Sequence, residues 1–254
     1  MRSRYPSSTA TFASSFGPGP LTPAIKAIII ANVVMFVAEW LATRTTGIPL
    51  NSFFGLRPVA VIEGLQVWQL VTYLFLHGGL FHILFNMLAL WMFGVELERM
   101  WGTRFFTKFY FVSGVGAGLF HIAASLTPFG ASAYVIPTVG ASGAIYGVLL
   151  AYARYFPNRP IYMYFVFPIP AKYFVMIMGA IAFMAAADGS GSGVAHTAHL
   201  GGLIAAYLYL KTGTGTHLMA EIKYRYLKWR INRMRRRFDV YSGGRADDVD
   251  RRVH

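Results

Sequence analysis

Six apolar segments separated by polar stretches constrain this fold most strongly. They lie at roughly 24–43, 80–98, 105–126, 142–155, 169–187 and 194–211. The chain is 56% hydrophobic and only 13% charged, whereas soluble domains carry about 25% charged residues. Because lipid cannot satisfy backbone hydrogen bonds, such segments cross a membrane as helices. The sequence therefore predicts an all-α polytopic membrane protein, a bundle of six transmembrane helices.

Composition excludes several classes of function. The chain contains no cysteine, so disulfides, thiolate catalysis and cysteine-ligated zinc are all excluded. The net charge of +13 could suggest nucleic acid, but 12 of the 23 Lys and Arg residues lie between 211 and 254. That placement is typical of a cytoplasmic flank beside a membrane span. No motif supports nucleic-acid binding, and we expect none.

Three regions follow from this pattern. Residues 1–22 are rich in Ser, Thr, Pro and Gly and are predicted to form a disordered cytoplasmic tail. Residues 23–211 form the six-helix domain, with a long interfacial loop of short helices at 44–79. Residues 212–254 form a basic cytoplasmic tail. Apolar positions spaced 4, 3 and 4 between 227 and 238 predict an amphipathic helix on anionic lipid, with a disordered basic tail as the alternative.

Basic side chains set the predicted orientation. They cluster between segments two and three, between four and five, and after six, whereas the loops after three and five have none. The positive-inside rule then places both termini in the cytoplasm, so segments two, four and six start at the external face. A bacterial plasma membrane fits this core. The acid-free N-terminus with Arg2 and Arg4 would also suit a mitochondrial transit peptide.

Segment four is too short to span the bilayer from its first polar residue. About 13 residues separate Ser142 from Arg154, roughly 20 Å of helix, against a hydrocarbon core of about 30 Å. The helix should therefore start inside the membrane at Ser142, after irregular chain at 131–141. Such chain is tolerated where protein or water surrounds it. This predicts an aqueous cavity open to the outside, with Ser142 at its floor.

Ser142 is the candidate nucleophile. It lies in Gly140-Ala141-Ser142-Gly143, and at a helix N-terminus its own backbone N–H would help to hold an oxyanion. The alternative is that Gly140 and Gly143 serve only close helix packing in lipid.

His199 is the candidate general base. Gly201 and Gly202 would let its helix approach that of Ser142, and neutral histidine is a suitable base near pH 7. The alternatives are a structural polar contact, or His196, one turn earlier, as the base. His196 and His199 could also bind a metal together, but no carboxylate accompanies them, so no metal is expected.

His82 and Asn86 share one helix face, because they are four residues apart. They are candidate oxyanion donors facing Ser142, or else they form helix–helix hydrogen bonds. His77 is expected to cap or brace this helix.

Two further residues are weighed against simpler roles. Tyr146 lies one turn after Ser142 and would pack against the His199 ring, or belong to the core. Asp188 could complete a triad, but the glycine- and serine-rich run at 189–193 favours a solvated loop residue instead.

Together these residues resemble the rhomboid family of intramembrane serine proteases, over roughly residues 24–211. The resemblance rests on three stretches in order, on alternate segments: His77-Gly78-Gly79-Leu80-Phe81-His82-Ile83-Leu84-Phe85-Asn86, Gly140-Ala141-Ser142-Gly143-Ala144-Ile145-Tyr146-Gly147, and Ala198-His199-Leu200-Gly201-Gly202.

The resemblance implies a rhomboid-like six-helix core with a serine–histidine dyad and no acid partner. It assigns Ser142 as nucleophile, His199 as base, and His82, Asn86 and the Ser142 N–H to the oxyanion site. It places Tyr146 against His199. Two positions depart from the family pattern: Gln69 follows Trp68 where arginine is usual, and Ala206 replaces a glycine of the last helix.

The sequence therefore predicts an intramembrane serine endopeptidase that cleaves transmembrane or membrane-anchored proteins near the external face, without a cofactor. One alternative is a non-catalytic rhomboid-like protein that binds and escorts membrane-protein clients. Another is a small transporter, since polar residues at mid-depth also mark transport pathways. The oligomeric state is left open.

Overall fold

The computed structural model describes residues 17–128, 130–163, 167–187 and 196–213, and these residues are mostly helical. Nine α-helices follow one another within them: α1 Pro23–Thr46, α2 Asn51–Phe54, α3 Pro58–Ile62, α4 Gln69–Thr72, α5 Leu80–Trp101, α6 Thr103–Ser125, α7 Ser142–Tyr155, α8 Ala171–Ala187 and α9 His196–Gly213. Short 3-10 helices lie at Tyr73–Phe75 and Ala131–Ala133. Strands β1 Pro160–Met163 and β2 Phe167–Pro170 pair antiparallel, with Ile161 opposite Ile169.

The six predicted segments correspond to the six longer helices, α1 and α5 to α9. The helical architecture confirms the all-α prediction, apart from the small β1–β2 hairpin that joins α7 to α8. Within the described residues, α1 and α5 are the helices long and apolar enough to cross a membrane by length and composition alone, and α8 is a shorter apolar helix. The count of six spans stays a prediction.

Helices α1 and α7 occupy opposite environments. Ten of the 14 residues of α7 are buried, whereas only four of the 24 residues of α1 are. The exposed side chains of α1 include Ile30, Val33, Val34 and Val37. An apolar outward surface of this kind suits lipid, so α1 is peripheral and α7 is the central helix of the bundle.

Small residues let α9 and α6 approach α7 closely. A Cβ on Gly202 would lie 1.9 Å from the carbonyl oxygen of Gly143, and one on Gly147 would lie 2.7 Å from Ser113 Cβ. Any side chain at Gly202 would therefore separate α9 from α7. The alanine at 206 keeps this packing: it is fully buried, and its Cβ lies 3.1 Å from the position of a Cβ on Gly147.

The stretch at 44–79 contains α2, α3, α4 and a 3-10 helix, and its place at the membrane interface stays a prediction. Gln69 is fully buried in it. The Gln69 amide donates to the Phe53 carbonyl at 3.1 Å and to Gln66 Oε1 at 2.8 Å, and its oxygen accepts the Arg57 N–H at 2.9 Å. Gln69 therefore braces this loop with its own hydrogen bonds.

The start of the folded domain differs from the predicted boundary. Residues 17–22 fall in the predicted disordered tail, yet they are hydrogen-bonded to α5: Trp91 donates to Gly19 O at 3.0 Å, and Arg99 donates to Pro20 O at 3.1 Å. The composition of 17–22 did not show these distant partners. The predicted amphipathic helix near the C-terminus and residues 1–16 lie outside the described residues.

Candidate active site

Ser142 is the first residue of α7, so the chain just before it sets its position. Thr138 forms an antiparallel bridge with Leu56, and the Gly140 N–H donates to the Tyr73 carbonyl at 2.9 Å. Gly140 has φ +126°, a conformation that favours glycine. Irregular chain thus delivers Ser142 at a helix N-terminus, where the first backbone N–H groups have no partner within the helix.

His199 lies within hydrogen-bond distance of Ser142. Its Nε2 is 2.8 Å from Ser142 Oγ, although 57 residues separate them. His199 is buried, with 8% of its surface exposed, and Ser142 is half-buried. The contact between Gly202 and the Gly143 backbone brings the two helices close enough for this bond.

The His199 ring is held by a neighbouring aromatic ring. Tyr146, one turn after Ser142 on α7, stacks on it with centroids 4.3 Å apart and planes 6° from parallel. His196 meets the same imidazole edge-on, with centroids 5.8 Å apart. The structure therefore brings together Ser142, His199 and Tyr146, with Nε2 of His199, rather than His196, directed at the hydroxyl.

The other nitrogen of His199 has no partner among the described residues. Its Nδ1 is buried and unbonded. Asp188, the candidate third member of a triad, lies outside the described residues. Nor does the described part of the chain contain a group of three or more His, Cys, Asp or Glu side chains that could hold a metal ion.

His82 presents a donor beside this pair. Its Nδ1 accepts the Gly78 N–H at 3.3 Å, so in the neutral ring the proton is on Nε2. A Cβ on Gly140 would lie 2.8 Å from His82 Nε2 and 3.6 Å from Ser142 Oγ. A side chain at position 140 would therefore collide with the His82 ring, and the glycine lets the Nε2 edge of that ring lie close to the segment that carries Ser142.

Asn86 and His77 support His82 from either side. Asn86 is buried, and its amide donates to the His82 carbonyl at 2.8 Å, one turn earlier on α5. Within the described residues, no hydrogen bond joins the Asn86 side chain to Ser142. The His77 ring lies edge-on to that of His82, with centroids 5.0 Å apart. Burial lowers the pKa of His77 to about 4, with a further contribution from His82, so His77 is neutral near pH 7.

Sequence reasoning missed two polar residues near the site. Tyr73 is fully buried in the interfacial loop, and its hydroxyl donates to the Gly114 carbonyl at 2.7 Å. His121, on α6, is 2% exposed and bonded on both ring nitrogens. The signal for His121 was its place inside an apolar helix, where a polar side chain is usually functional.

Residues 64–214 match the family described as Rhomboid domain. The chain is 37% identical over 136 residues to Rhomboid protein 1, mitochondrial, of Saccharomyces cerevisiae, covering 53% of this chain and 38% of that protein. It is 32% identical over 181 residues to Rhomboid protease GluP of Bacillus subtilis, covering 70% and 32% respectively. With Rhomboid protease AarA of Providencia stuartii the identity is 32% over 153 residues, covering 54% and 52%.

The fold and the site define a helical integral membrane protein with a serine–histidine pair at a helix N-terminus. The chain belongs to the rhomboid family, since the family match covers more than half of its length. It spans between about a third and just over half of the length of these three relatives.

Proposed function

We propose that this protein is an intramembrane serine endopeptidase that cleaves transmembrane or membrane-anchored proteins. The observation that carries the proposal is the 2.8 Å approach of His199 Nε2 to Ser142 Oγ, with the His82 ring packed against Gly140 two residues before the serine. Two of the relatives, GluP and AarA, are named as proteases. Family membership and site geometry thus favour the same chemistry.

The proposed reaction begins with attack by Ser142 Oγ on the scissile carbonyl carbon, while His199 Nε2 takes the hydroxyl proton. Negative charge then develops on the carbonyl oxygen. The His82 Nε2–H and the Ser142 backbone N–H are the donors for that oxyanion, and Asn86 contributes through its hydrogen bond to His82 or through its second amide proton.

His199 returns the proton to the leaving amine, which breaks the peptide bond and leaves an acyl-enzyme on Ser142. Water deprotonated by His199 then attacks the ester and releases the second product. Tyr146 holds the orientation of the His199 imidazole during these steps by stacking on it. No step requires a cofactor or a metal ion.

The proposed substrate class comes from the family resemblance, which implies membrane-anchored proteins with small residues at the cleavage site and a helix that unwinds easily. A helical peptide bond hides its carbonyl behind its own hydrogen bond, so a substrate helix has to unwind before attack. We further propose that cleavage occurs near the external face of the membrane, and that the chain has six spans with both termini in the cytoplasm of a bacterial cell. The alternative location is mitochondrial, since one of the three relatives compared above is mitochondrial by name.

This topology can be tested because the chain has no cysteine. Single cysteines at Thr127, after α6, and at Arg104, at the start of α6, should differ in labelling by an impermeant maleimide on intact cells. The proposal expects labelling at Thr127 only. Labelling at Arg104 and not at Thr127 would reverse the orientation.

The basic C-terminal tail is proposed to lie on anionic lipid. A peptide of residues 215–240 should become helical on anionic vesicles, lose that helix at high salt, and stay unordered on neutral vesicles. An unordered circular dichroism spectrum on both would remove this part of the proposal.

The protease assignment is tested by cleavage of a reporter transmembrane protein in proteoliposomes. Wild type should produce two fragments whose masses add to the substrate plus water, and Ser142→Ala should produce none. A protein that binds the reporter equally well with either residue, and never cleaves it, would instead be a client-binding member of the family.

A further inference from the structure

His121 joins the two segments that carry the proposed dyad. Its Nδ1 lies 2.6 Å from Thr197 Oγ1, and its Nε2 lies 3.0 Å from Thr138 Oγ1. Thr197 precedes His199 by two residues on the first turn of α9. Thr138 precedes Ser142 by four residues in the irregular chain before α7. One imidazole on α6 thus bonds to both sides of the site.

The neutral ring can satisfy both hydroxyls at once. One ring nitrogen carries the proton and donates to one threonine, while the other nitrogen accepts a proton from the second threonine. His121 is 2% exposed, where an unpaired polar group is costly. The two bonds therefore hold the ring in a single orientation and tie it to both segments.

Thr138 is already fixed through its backbone. Its N–H and carbonyl pair with Leu56 at 2.8 and 2.9 Å, so the bond from its hydroxyl connects His121 to this backbone bridge. Two residues later, Gly140 is bonded to the Tyr73 carbonyl. The Thr197 hydroxyl, in contrast, lies at the start of α9, and its bond to His121 links that start to the bridged segment before Ser142.

We propose that His121 is a positioning residue that, through Thr138 and Thr197, fixes the separation and angle between Ser142 Oγ and His199 Nε2. This inference rests on the proposed serine-hydrolase function. His121 does not touch the reacting atoms; its effect passes through the two segments. A misplacement of about 1 Å can cost on the order of 10²-fold in rate, so two hydrogen bonds outside the dyad are sufficient to matter.

The experiment removes one hydroxyl at a time in the full-length protein. Thr138→Val and Thr197→Val delete the bonds with little change in shape, and Thr138→Ser and Thr197→Ser keep a hydroxyl. Ser125→Ala is the matched control: Ser125 is a buried hydroxyl one turn further along α6 that bonds only to its own helix at Ile122 O.

Four quantities are measured for each variant: the second-order rate constant for labelling by a fluorophosphonate probe, kcat and KM for a reporter substrate, and the thermal unfolding midpoint in detergent. Each valine variant should lower labelling and kcat about tenfold or more per folded molecule, with KM nearly unchanged. The serine variants and Ser125→Ala should match wild type.

His121→Gln separates the two bonds, because the glutamine amide reaches the place of Nε2 but not that of Nδ1. It should keep the link to Thr138 and lose the link to Thr197. In the Thr197→Val background, His121→Gln should therefore lower kcat no further, whereas in the Thr138→Val background it should.

If both valine variants label and turn over as fast as wild type, His121 has no positioning role. A change in KM alone, or in the unfolding midpoint alone, would also overturn that role. Failure of the wild-type protein itself to label would refute the proposed function, and this inference with it. The two failures are thus distinguished by the wild-type reaction.

Discussion

Helix α5 carries a buried polar site near each of its ends, and the two sites use their hydrogen-bonding capacity differently. Near its C-terminus, Glu98 is 2% exposed and accepts four hydrogen bonds: from the N–H groups of Ala24 and Ile25 and from the hydroxyls of Thr22 and Thr103. This carboxylate caps the N-terminus of α1 in place of a local side chain, and it complements the helix dipole there.

Near the N-terminus of α5, the polar groups do not use all of their hydrogen-bonding positions. His199 Nδ1 has no partner among the described residues, Ser142 Oγ has His199 as its partner, and His82 Nε2 lies against Gly140. A fully satisfied buried group stabilises one conformation. A partly satisfied group leaves a donor or an acceptor for a substrate, and this difference separates the structural end of the helix from the candidate active site.

Removing the base should give the largest effect. His199→Ala is expected to lower kcat by about 10⁴-fold or more, as loss of one member of such a unit does, with the protein still folded. His196→Ala is the matched control and should remain active, because His199 and not His196 bonds to Ser142. An inactive His196→Ala beside an active His199→Ala, in a reporter-cleavage assay, would reverse the assignment.

Removing an oxyanion donor should have a smaller effect. His82→Ala and Asn86→Ala are each expected to lower kcat by about 10²–10³-fold, because each change removes or misplaces a donor near the developing charge. Labelling of Ser142 by a fluorophosphonate should become slower but persist. A loss of less than about threefold from both variants would mean that these side chains only pack.

Separating α9 from α7 should lower activity and stability together. Gly202→Ala places a Cβ that would lie 1.9 Å from the Gly143 carbonyl oxygen, so α9 has to move and the serine–histidine distance has to grow. We expect a loss of about tenfold or more in kcat per folded molecule. Gly179→Ala on α8 is the control, since its Cβ would meet Leu203 at an ordinary 3.4 Å.

An unchanged kcat in Gly202→Ala would show that the close helix contact does not set the geometry of the pair. Equal losses in Gly202→Ala and Gly179→Ala would point instead to a general sensitivity of the bundle. Each of these two outcomes is measured as kcat, corrected for the fraction of folded protein.

The structural end should show the opposite pattern. Glu98→Ala leaves the buried N–H groups of Ala24 and Ile25 without their acceptor, at a cost of about 1–3 kcal/mol each, so the unfolding midpoint should fall clearly while kcat per folded molecule stays near that of wild type. Glu96→Ala is the control: Glu96 forms a partly exposed pair with Arg159, and such pairs contribute about 0–1 kcal/mol. A kcat loss in Glu98→Ala beyond threefold would contradict the comparison.

The sequence was sufficient for the helices and for the approach of Ser142 to His199, because hydrophobic segments, charge placement and three ordered motifs all act at the level of whole helices. It was not sufficient for His121, whose partners lie 17 and 76 residues away. Nor did it show that Gln69 would brace its loop, or that Trp91 and Arg99 would hold residues 17–22 against α5. These hydrogen bonds depend on which side chains come together when the helices pack, and local sequence patterns do not predict that.

The most direct test of the central claim is covalent labelling of the purified protein with a fluorophosphonate probe, followed by peptide mapping by mass spectrometry. The account predicts one modified peptide, carrying the probe on Ser142, which is absent in Ser142→Ala and strongly reduced in His199→Ala. Unlabelled wild-type protein, or a probe found on another serine while Ser142 stays free, would contradict it.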